Sequence, residues 1–205
     1  MDEDFAFFTQ QFGSGIDRVE VSESSIARYE NRLPEQLITY WKDHGWCAYG
    51  DGIFWTVNPE DYDQVLTQWL ATSELNVQDN LHVIARSAFG ELYVWGERSG
   101  YCLDIASYIG RYSRRTSIFA GDKLDFGVRV FFSSMDPEHN DVSDLFAPAR
   151  EKLGLLKADE MYGFVPALAL GGSITLESLQ KVKTIEHLEF LSQLTPLTDW
   201  GFPDI

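Results

Sequence analysis

The chain has 205 residues and carries 32 acidic against 16 basic side chains, which gives a net charge of −16. A surface this negative repels nucleic acid and anionic lipid and attracts basic partners, so direct binding to DNA, RNA or a membrane is not expected. Hydrophobic residues make up 44% of the chain and aromatic residues 14%, which is enough for a packed core and argues against disorder. The two cysteines, Cys47 and Cys102, form neither a zinc set nor a disulfide framework and are expected to be buried thiols in a reducing cytoplasm.

Helices are expected to open the chain. Phe5, Phe8 and Phe12 recur at helical spacing, and Gly13 supplies a stop. Two further apolar stripes follow at the same spacing. The helices are expected over residues 4–12, 22–33 and 34–44.

Strands and one inserted helix are expected next. Residues 51–58 are rich in β-branched and aromatic side chains and predict a strand. Asn58 as a cap and Pro59 at the first helical position predict a helix over 58–70. Three closely spaced strands then predict antiparallel pairing through tight turns. Those strands are expected over residues 81–88, 91–98 and 101–109.

The last part of the chain is expected to be mostly helical. The apolar residues of 122–135 fit both the two-residue period of a strand and the 3.6-residue period of a helix. We favour a helix because Asp122 and Asp125 suit a helix start. Thr175 is expected to cap a helix over residues 175–183, and Thr184 to start the next one. Helices are therefore expected over residues 122–135, 144–154, 175–183 and 184–194.

The stretch "MYGFVPALALGG", residues 161–172, has no clear period and is interrupted by Pro166. It is too short and too broken for a membrane span, which needs ~20 apolar residues. We expect an irregular or short-strand segment, buried on most sides, that docks the last helices on the first unit. The fold class is thus α+β, with N-terminal helices packed on a mainly antiparallel sheet and a smaller helical C-terminal unit docked on it. The domain boundary is expected between residues 1–120 and 121–205.

No catalytic, cofactor-binding or metal-binding set can be assembled from the sequence. The four histidines are scattered, and none has a ligand partner at metal-site spacing. His82, inside a strand pattern, is expected to be a satisfied core residue. Neither a phosphate-binding loop nor a nucleophile elbow is present, so the chain is not expected to be an enzyme.

Charge placement is the informative functional feature. Between Lys42 and Arg86 there is no lysine or arginine, while seven acidic residues fall in this window. Of the aromatic residues there, Phe54 and Trp55 are expected in the core, whereas Trp46 and Tyr49 could lie in the core or on the surface. Because aromatic anchors among carboxylates suit a basic protein partner, we expect contacts from the windows 43–79 and 136–144. The expected contact residues are Asp43, Trp46, Tyr49, Asp51, Glu60, Asp61, Asp63, Asp136, Glu138 and Asp141.

Two stretches resemble known families. "LPEQLITYWKDHGWCAYGDGIFWTVNPEDY" is similar to the opening of the GAD-like domain, and its "LP…L…YW…G" element is similar to the SUKH-type immunity fold. "KLGLLKADEMYGFVPALALGG", followed by "LQKV" and "EHLEFLSQL", resembles the C-terminal domain of the Tdi immunity proteins of type VI secretion. The resemblance implies a cytoplasmic immunity protein that binds and blocks a cognate antibacterial toxin, in this family a DNA-degrading one.

Two other classes stay open at this point. One is a non-catalytic ligand-binding or regulatory module of SUKH-like fold, and the other is an enzyme. The N-terminus is acidic from Asp2 onwards, whereas a secretory signal starts with basic residues, so a cytoplasmic location is expected.

Overall fold

The computed structural model describes residues 2–75 and 78–201. Its helices are α1 Glu3–Phe12, α2 Glu23–Tyr29, α3 Glu35–His44, α4 Asp63–Ala71, α5 Leu124–Ser133, α6 Phe146–Leu153 and α7 Thr184–Leu194. Its strands are β1 Ile16–Val19, β2 Trp46–Tyr49, β3 Phe54–Thr56, β4 Leu81–Ser87, β5 Glu91–Gly96, β6 Gly100–Ala106, β7 Arg111–Arg114, β8 Glu160–Phe164, β9 Leu179–Lys183 and β10 Thr198–Asp199.

An eight-stranded sheet forms the centre of the fold, in the order β1-β2-β3-β4-β5-β6-β7-β10. All neighbours in it pair antiparallel except β7 and β10, which are parallel. Strands β8 and β9 form a separate antiparallel pair. The predicted α+β class, with helices on a mainly antiparallel sheet, is confirmed.

The expected local signals set the helix ends. Ser22 caps α2 by accepting a hydrogen bond from the Ser25 backbone N–H at 3.1 Å, and Asp2 caps α1 in the same way through Phe5. The ambiguous segment 122–135 is helical over α5, as favoured. Its neighbours explain the choice, because a helix turns Phe132 towards α1 and α3.

Aromatic rings bind these helices to the sheet. The Phe132 ring lies 5.3 Å from the rings of Phe5, Phe8 and Tyr40, within the range in which aromatic pairs attract. Phe54 of β3 joins the same group, 5.6 Å from Phe8. One cluster of buried apolar residues continues from here through the sheet to β8 and α7.

The expected helix over 175–183 is wrong. A short 3₁₀ turn covers Leu176–Ser178, and β9 follows. The physical reason is non-local, because β9 pairs along its whole length with β8, from Phe164 opposite Leu179 to Glu160 opposite Lys183. The helical expectation at Asn58 is also modified, since a 3₁₀ turn over Pro59–Tyr62 precedes α4.

The segment 161–172 docks on the sheet as expected, but it is not buried on most sides. Val165, Pro166, Ala169 and Leu170 are exposed, because they follow the end of β8 at Phe164. Met161, Tyr162 and Phe164 are buried, and the Tyr162 backbone N–H donates to the carbonyl of Ala88 at 2.9 Å, at the turn between β4 and β5. No helix within residues 2–75 and 78–201 has the length and apolar content needed to cross a bilayer.

Candidate partner-binding surface

Trp46 and Asp61 line one cavity of about 300 Å³ at one end of the β2–β3 hairpin. Trp46 is the first residue of β2, and Asp61 lies in the 3₁₀ turn that follows β3. Trp46 is half-buried, and its ring packs edge-on against Trp41 at 5.8 Å. The predicted combination of an aromatic side chain and a carboxylate therefore exists at this position.

The Asp61 carboxylate is held in place by its own turn. Asn58 donates from Nδ2 to Asp61 Oδ1 at 3.3 Å, and Asn58 Oδ1 accepts from the Glu60 backbone N–H at 3.3 Å. Burial, and then the neighbouring Glu60 charge, raises the pKa of Asp61 above its ordinary value. A cation placed beside Asp61 would offset both effects.

Glu60 and Asp63 extend this acidic surface. Glu60 forms an ion pair with Arg28 of α2, with 2.9 Å between Arg28 Nε and Glu60 Oε1, and Asp63 is exposed at the start of α4. Asp43 is exposed in the last turn of α3, three residues before Trp46. We call Trp46, Glu60, Asp61 and Asp63 the Trp46 group.

The remaining expected residues lie elsewhere. Asp51 occupies the turn at the other end of the β2–β3 hairpin and pairs with Arg150 of α6. Asp141 accepts a hydrogen bond from the backbone N–H of Phe146, at the start of the same helix, at 2.9 Å. We call Asp51, Asp136, Glu138 and Asp141 the Asp51 group.

The structure thus separates the Trp46 group from the Asp51 group, in which Asp136, Glu138 and Asp141 lie between α5 and α6. Asp136 accepts a hydrogen bond from the Glu138 backbone N–H at 2.8 Å. Asp51 and Glu138 are both exposed, but the Asp51 side chain is paired with Arg150. Residues 76 and 77 of the 43–79 window lie outside the described residues.

Tyr49 does not belong to this surface. Its side chain is only 2% exposed, and its ring lies 4.9 Å from that of Phe8 in the core. The alternation of side chains along β2 could not predict the burial of Tyr49, because side chains on both faces of this strand are covered. Phe54 and Trp55 are buried, as expected.

A second cavity of about 480 Å³ adjoins the first and shares Asp61, Tyr62 and Ala158 with it. It adds residues that sequence reasoning did not assign to the site, namely Asp159, Lys183, Thr184 and Glu186. Thr184 was recognised only as a helix start, and nothing local in the sequence indicates that this helix start meets the turn after β3. We call the two adjoining cavities the junction groove.

Arg86 lies beneath the groove and holds its two sides together. It is fully buried, and its guanidinium stacks on Trp55 with 4.8 Å between Cζ and the ring centroid. Its Nη2 donates to the carbonyls of Ala158 at 3.0 Å and Glu160 at 2.9 Å. The segment before β8 is therefore tied to β4 by a charged donor.

A larger cavity, of about 570 Å³, lies next to β6 and β7 and has a different character. Three arginines line it, Arg98, Arg114 and Arg115, together with Asp79. Asp79 is occupied by hydrogen bonds from the backbone N–H of Ser99 at 2.8 Å and of Arg98 at 3.0 Å. This acid of the 43–79 window is therefore structural.

His82 is buried as expected, but it is only partly satisfied. Its Nε2 lies 3.0 Å from Glu97 Oε1, whereas its Nδ1 has no hydrogen-bond partner among the described residues. Cys47 and Cys102 are free thiols, and Cys47 is buried as expected whereas Cys102 is half-buried. In the part of the chain that the structure describes, no three His, Cys, Asp or Glu side chains gather as metal ligands.

Comparison with known proteins assigns both parts of the chain. The model of the GAD-like domain matches residues 3–109, and the model described as T6SS immunity protein Tdi1, C-terminal, matches residues 125–195. Among solved structures, the chain is similar to the crystal structure of Atu4351 from Agrobacterium tumefaciens, with a TM-score of 0.86 and 24% identity over 97% of this chain and 94% of that one. This likeness shows the fold. No curated protein matches the chain.

The α+β scaffold that carries the Trp46 group belongs to the GAD-like domain family. With the immunity domain that follows it, the chain is a Tdi-type immunity protein of type VI secretion.

Proposed function

We propose that this protein binds a cognate antibacterial nuclease in the cytoplasm and blocks it through the acidic, aromatic-containing surface around the Trp46 group. The observation that carries the proposal is the meeting of Trp46 and Asp61 in one cavity, in a chain with a net charge of −16. Family membership supplies the toxin as the class of partner. The protein acts as an inhibitor and catalyses nothing itself.

The physical argument starts from what a nuclease requires. An enzyme that cleaves DNA carries a positively charged groove for phosphates. A rigid acidic protein competes for such a groove, and its field accelerates the encounter. Seven acidic residues and no lysine or arginine between Lys42 and Arg86 give this part of the chain the required negative charge.

We assign a steering role to the exposed carboxylates and an anchoring role to Trp46. Exposed carboxylates such as Asp63 and Glu138 contribute mostly to the rate of association, because their charges act through solvent. Trp46 is half-buried beside Asp61 and supplies apolar contact area. Its removal is expected to act on dissociation, as for a buried interface anchor.

The test uses the product of the gene next to this one as the candidate toxin, purified with and without this protein. Plasmid cleavage by the toxin is measured against increasing amounts of the protein, and binding is followed by surface plasmon resonance at low and high salt. Stoichiometric loss of cleavage supports the proposal. Cleavage at an unchanged rate in the presence of excess protein overturns it.

Neutralising variants locate the surface without breaking the fold. In one variant Glu60, Asp61 and Asp63 are changed to their amides, and in a second Asp51, Asp136 and Glu138 are changed likewise. The control variant changes Glu3, Glu177 and Glu189 to glutamine, so that it removes the same charge from other surfaces.

We expect the first variant to lower the association rate about tenfold at low salt, with a smaller effect when salt screens the charges. The control is expected to change the rate much less. If the first variant and the control behave alike, the siting on the Trp46 group is wrong, although inhibition by another surface would stand.

A further inference from the structure

The junction groove lies between the parts of the chain that match the two family models. One wall comes from the hairpin side, with Trp46 and Asp61, and the other from the start of α7, with Thr184 and Glu186. A group bound in the groove therefore touches both parts of the chain at once. The exposed carboxylates around the groove do not offer such a two-sided contact.

The groove carries carboxylates without a basic partner. Asp61 and Glu186 take part in none of the ion pairs found in residues 2–75 and 78–201. Lys183 is already paired with Asp159. Arg86 beneath the floor offsets one negative charge, so the groove keeps a net negative charge within a strongly acidic chain.

The groove also contains polar atoms without a partner. Thr184 is 2% exposed, and its Oγ1 has no hydrogen-bond partner among the described residues, although the side chain lines the cavity. Trp46 Nε1 is also buried and has no hydrogen-bond partner among the described residues. Buried polar groups are normally hydrogen-bonded, so a polar group that reaches these two atoms is stabilised by pairing with them.

We infer that the junction groove takes an arginine side chain presented by the toxin, an inference that rests on the proposed function. A guanidinium offers five N–H donors in a plane, pairs with carboxylates and stacks on aromatic rings. Asp61, Glu186 and Thr184 Oγ1 supply acceptors, and Trp46 supplies an aromatic wall. The Trp46 indole N–H donates to a carbonyl of the chain that carries the arginine.

Lysine fits this set less well. Its ammonium is a compact and strongly hydrated charge, and it lacks the planar face that stacks on a ring and the wide fork of donors that reaches separated acceptors. The acceptors here come from two walls, with Asp61 on one and Glu186 on the other. Arginine is therefore the residue that uses both.

The first test needs no toxin. The ¹⁵N-labelled protein is titrated with N-acetyl-arginine methylamide, and separately with the lysine analogue, while the Trp46 indole N–H and the Thr184 amide are followed by NMR. We expect the arginine analogue to shift both signals and the lysine analogue to bind more weakly. Equal shifts from the two analogues, or arginine-induced shifts confined to other parts of the protein, overturn the inference.

Variants connect the shifts to the groove. Asp61→Asn and Glu186→Gln are each expected to weaken arginine binding about tenfold, because each removes a charged acceptor. Glu189→Gln is the matched control, since Glu189 lies one turn further along α7 and outside the groove. Unchanged arginine binding in both groove variants would also overturn the inference.

The toxin separates this inference from the proposed function. If the wild-type protein binds the toxin and the double variant Asp61→Asn, Glu186→Gln binds it equally well, the arginine site is wrong and the proposed function stands. If the wild-type protein binds no toxin, the proposed function fails, and with it the assignment of the arginine to a toxin. The titration then decides the chemistry of the groove alone.

Discussion

Gly172 lies at the end of the segment 161–172, and a single added methyl group is expected to disturb the backbone there. A Cβ added there would clash with the Pro166 carbonyl oxygen and would lie 2.9 Å from its carbon and 3.0 Å from the oxygen of Ala167. All three atoms are backbone, so no side chain can rotate away. The loop must open, and the hydrogen bond from the Gly172 N–H to the Ala167 carbonyl, 3.1 Å long, lengthens with it.

The magnitude follows from these contacts. Overpacking costs about 1–3 kcal/mol, and a weakened hydrogen bond adds about 1 kcal/mol. We therefore expect Gly172→Ala to lower the free energy of unfolding by about 3 kcal/mol, which moves the midpoint of thermal unfolding by roughly 6–12 °C. Urea unfolding followed by circular dichroism measures the free-energy change directly.

The neighbouring glycine is the matched control. Gly171 has a φ of 86°, but a Cβ there meets no atom within 4 Å. Gly171→Ala therefore tests backbone strain alone and should cost about 1 kcal/mol. If Gly172→Ala proves no more destabilising than Gly171→Ala, the steric reasoning for this loop is refuted.

Three further predictions concern other parts of the fold. Burial, and then the Asp104 charge, raises the pKa of Glu91 to about 7. As the pH rises, the unfolded chain therefore loses this proton before the folded protein does, and the free energy of unfolding falls between about pH 4.5 and 7. At about pH 8, Glu91→Gln should be more stable than wild type by about 2 kcal/mol in urea unfolding. Ser22→Ala removes the cap that accepts from Ser25 and should cost about 1 kcal/mol in the same assay. Trp46→Ala should raise the dissociation rate of the toxin by about tenfold or more, measured by surface plasmon resonance.

Each of these predictions has its own control. The benefit of Glu91→Gln must disappear near pH 4.5, and an equal benefit at both pH values would contradict the assigned pKa. Ser14→Ala, at an exposed serine between α1 and β1, should be nearly neutral, so equal costs at Ser22 and Ser14 would argue against capping. Trp200→Ala, at an exposed tryptophan on the opposite edge of the sheet, should leave toxin dissociation unchanged if Trp46 is the specific anchor.

The parts of the fold that could be predicted are those set by nearby residues. Gly13 and Gly45 are the C-caps of α1 and α3, and Ser22 is the N-cap of α2. Each of these signals lies within one turn of the helix that it bounds. The strand β1 was missed because all four of its residues are exposed, so no alternation marks it. The two-residue strand β10 was missed because only its pairing with β7 defines it.

The same distinction between local and distant signals applies to the candidate site. Trp46 and Asp61 fall in one acidic window of the sequence, and the fold brings them together. Thr184 and Glu186 meet Asp61 only because β9, which was expected to be a helix, pairs with β8 and delivers the start of α7 to this place. The boundary between residues 120 and 121 stays a prediction.

Acidity alone does not account for a specific inhibitor, because a diffuse negative field accelerates encounters with many basic proteins. Selection of one partner needs a site of defined shape. Its walls must be held in place before the partner binds, because ordering the walls on binding would lower the affinity. Arg86 supplies that restraint, because its hydrogen bonds hold the segment at Ala158 and Glu160 against the sheet that carries Trp55. If the groove recognises the toxin as proposed, the C-terminal part contributes in two ways. The hydrogen bond from Tyr162 to Ala88 holds β8 at the turn between β4 and β5, and α7 presents Thr184 and Glu186 opposite Asp61.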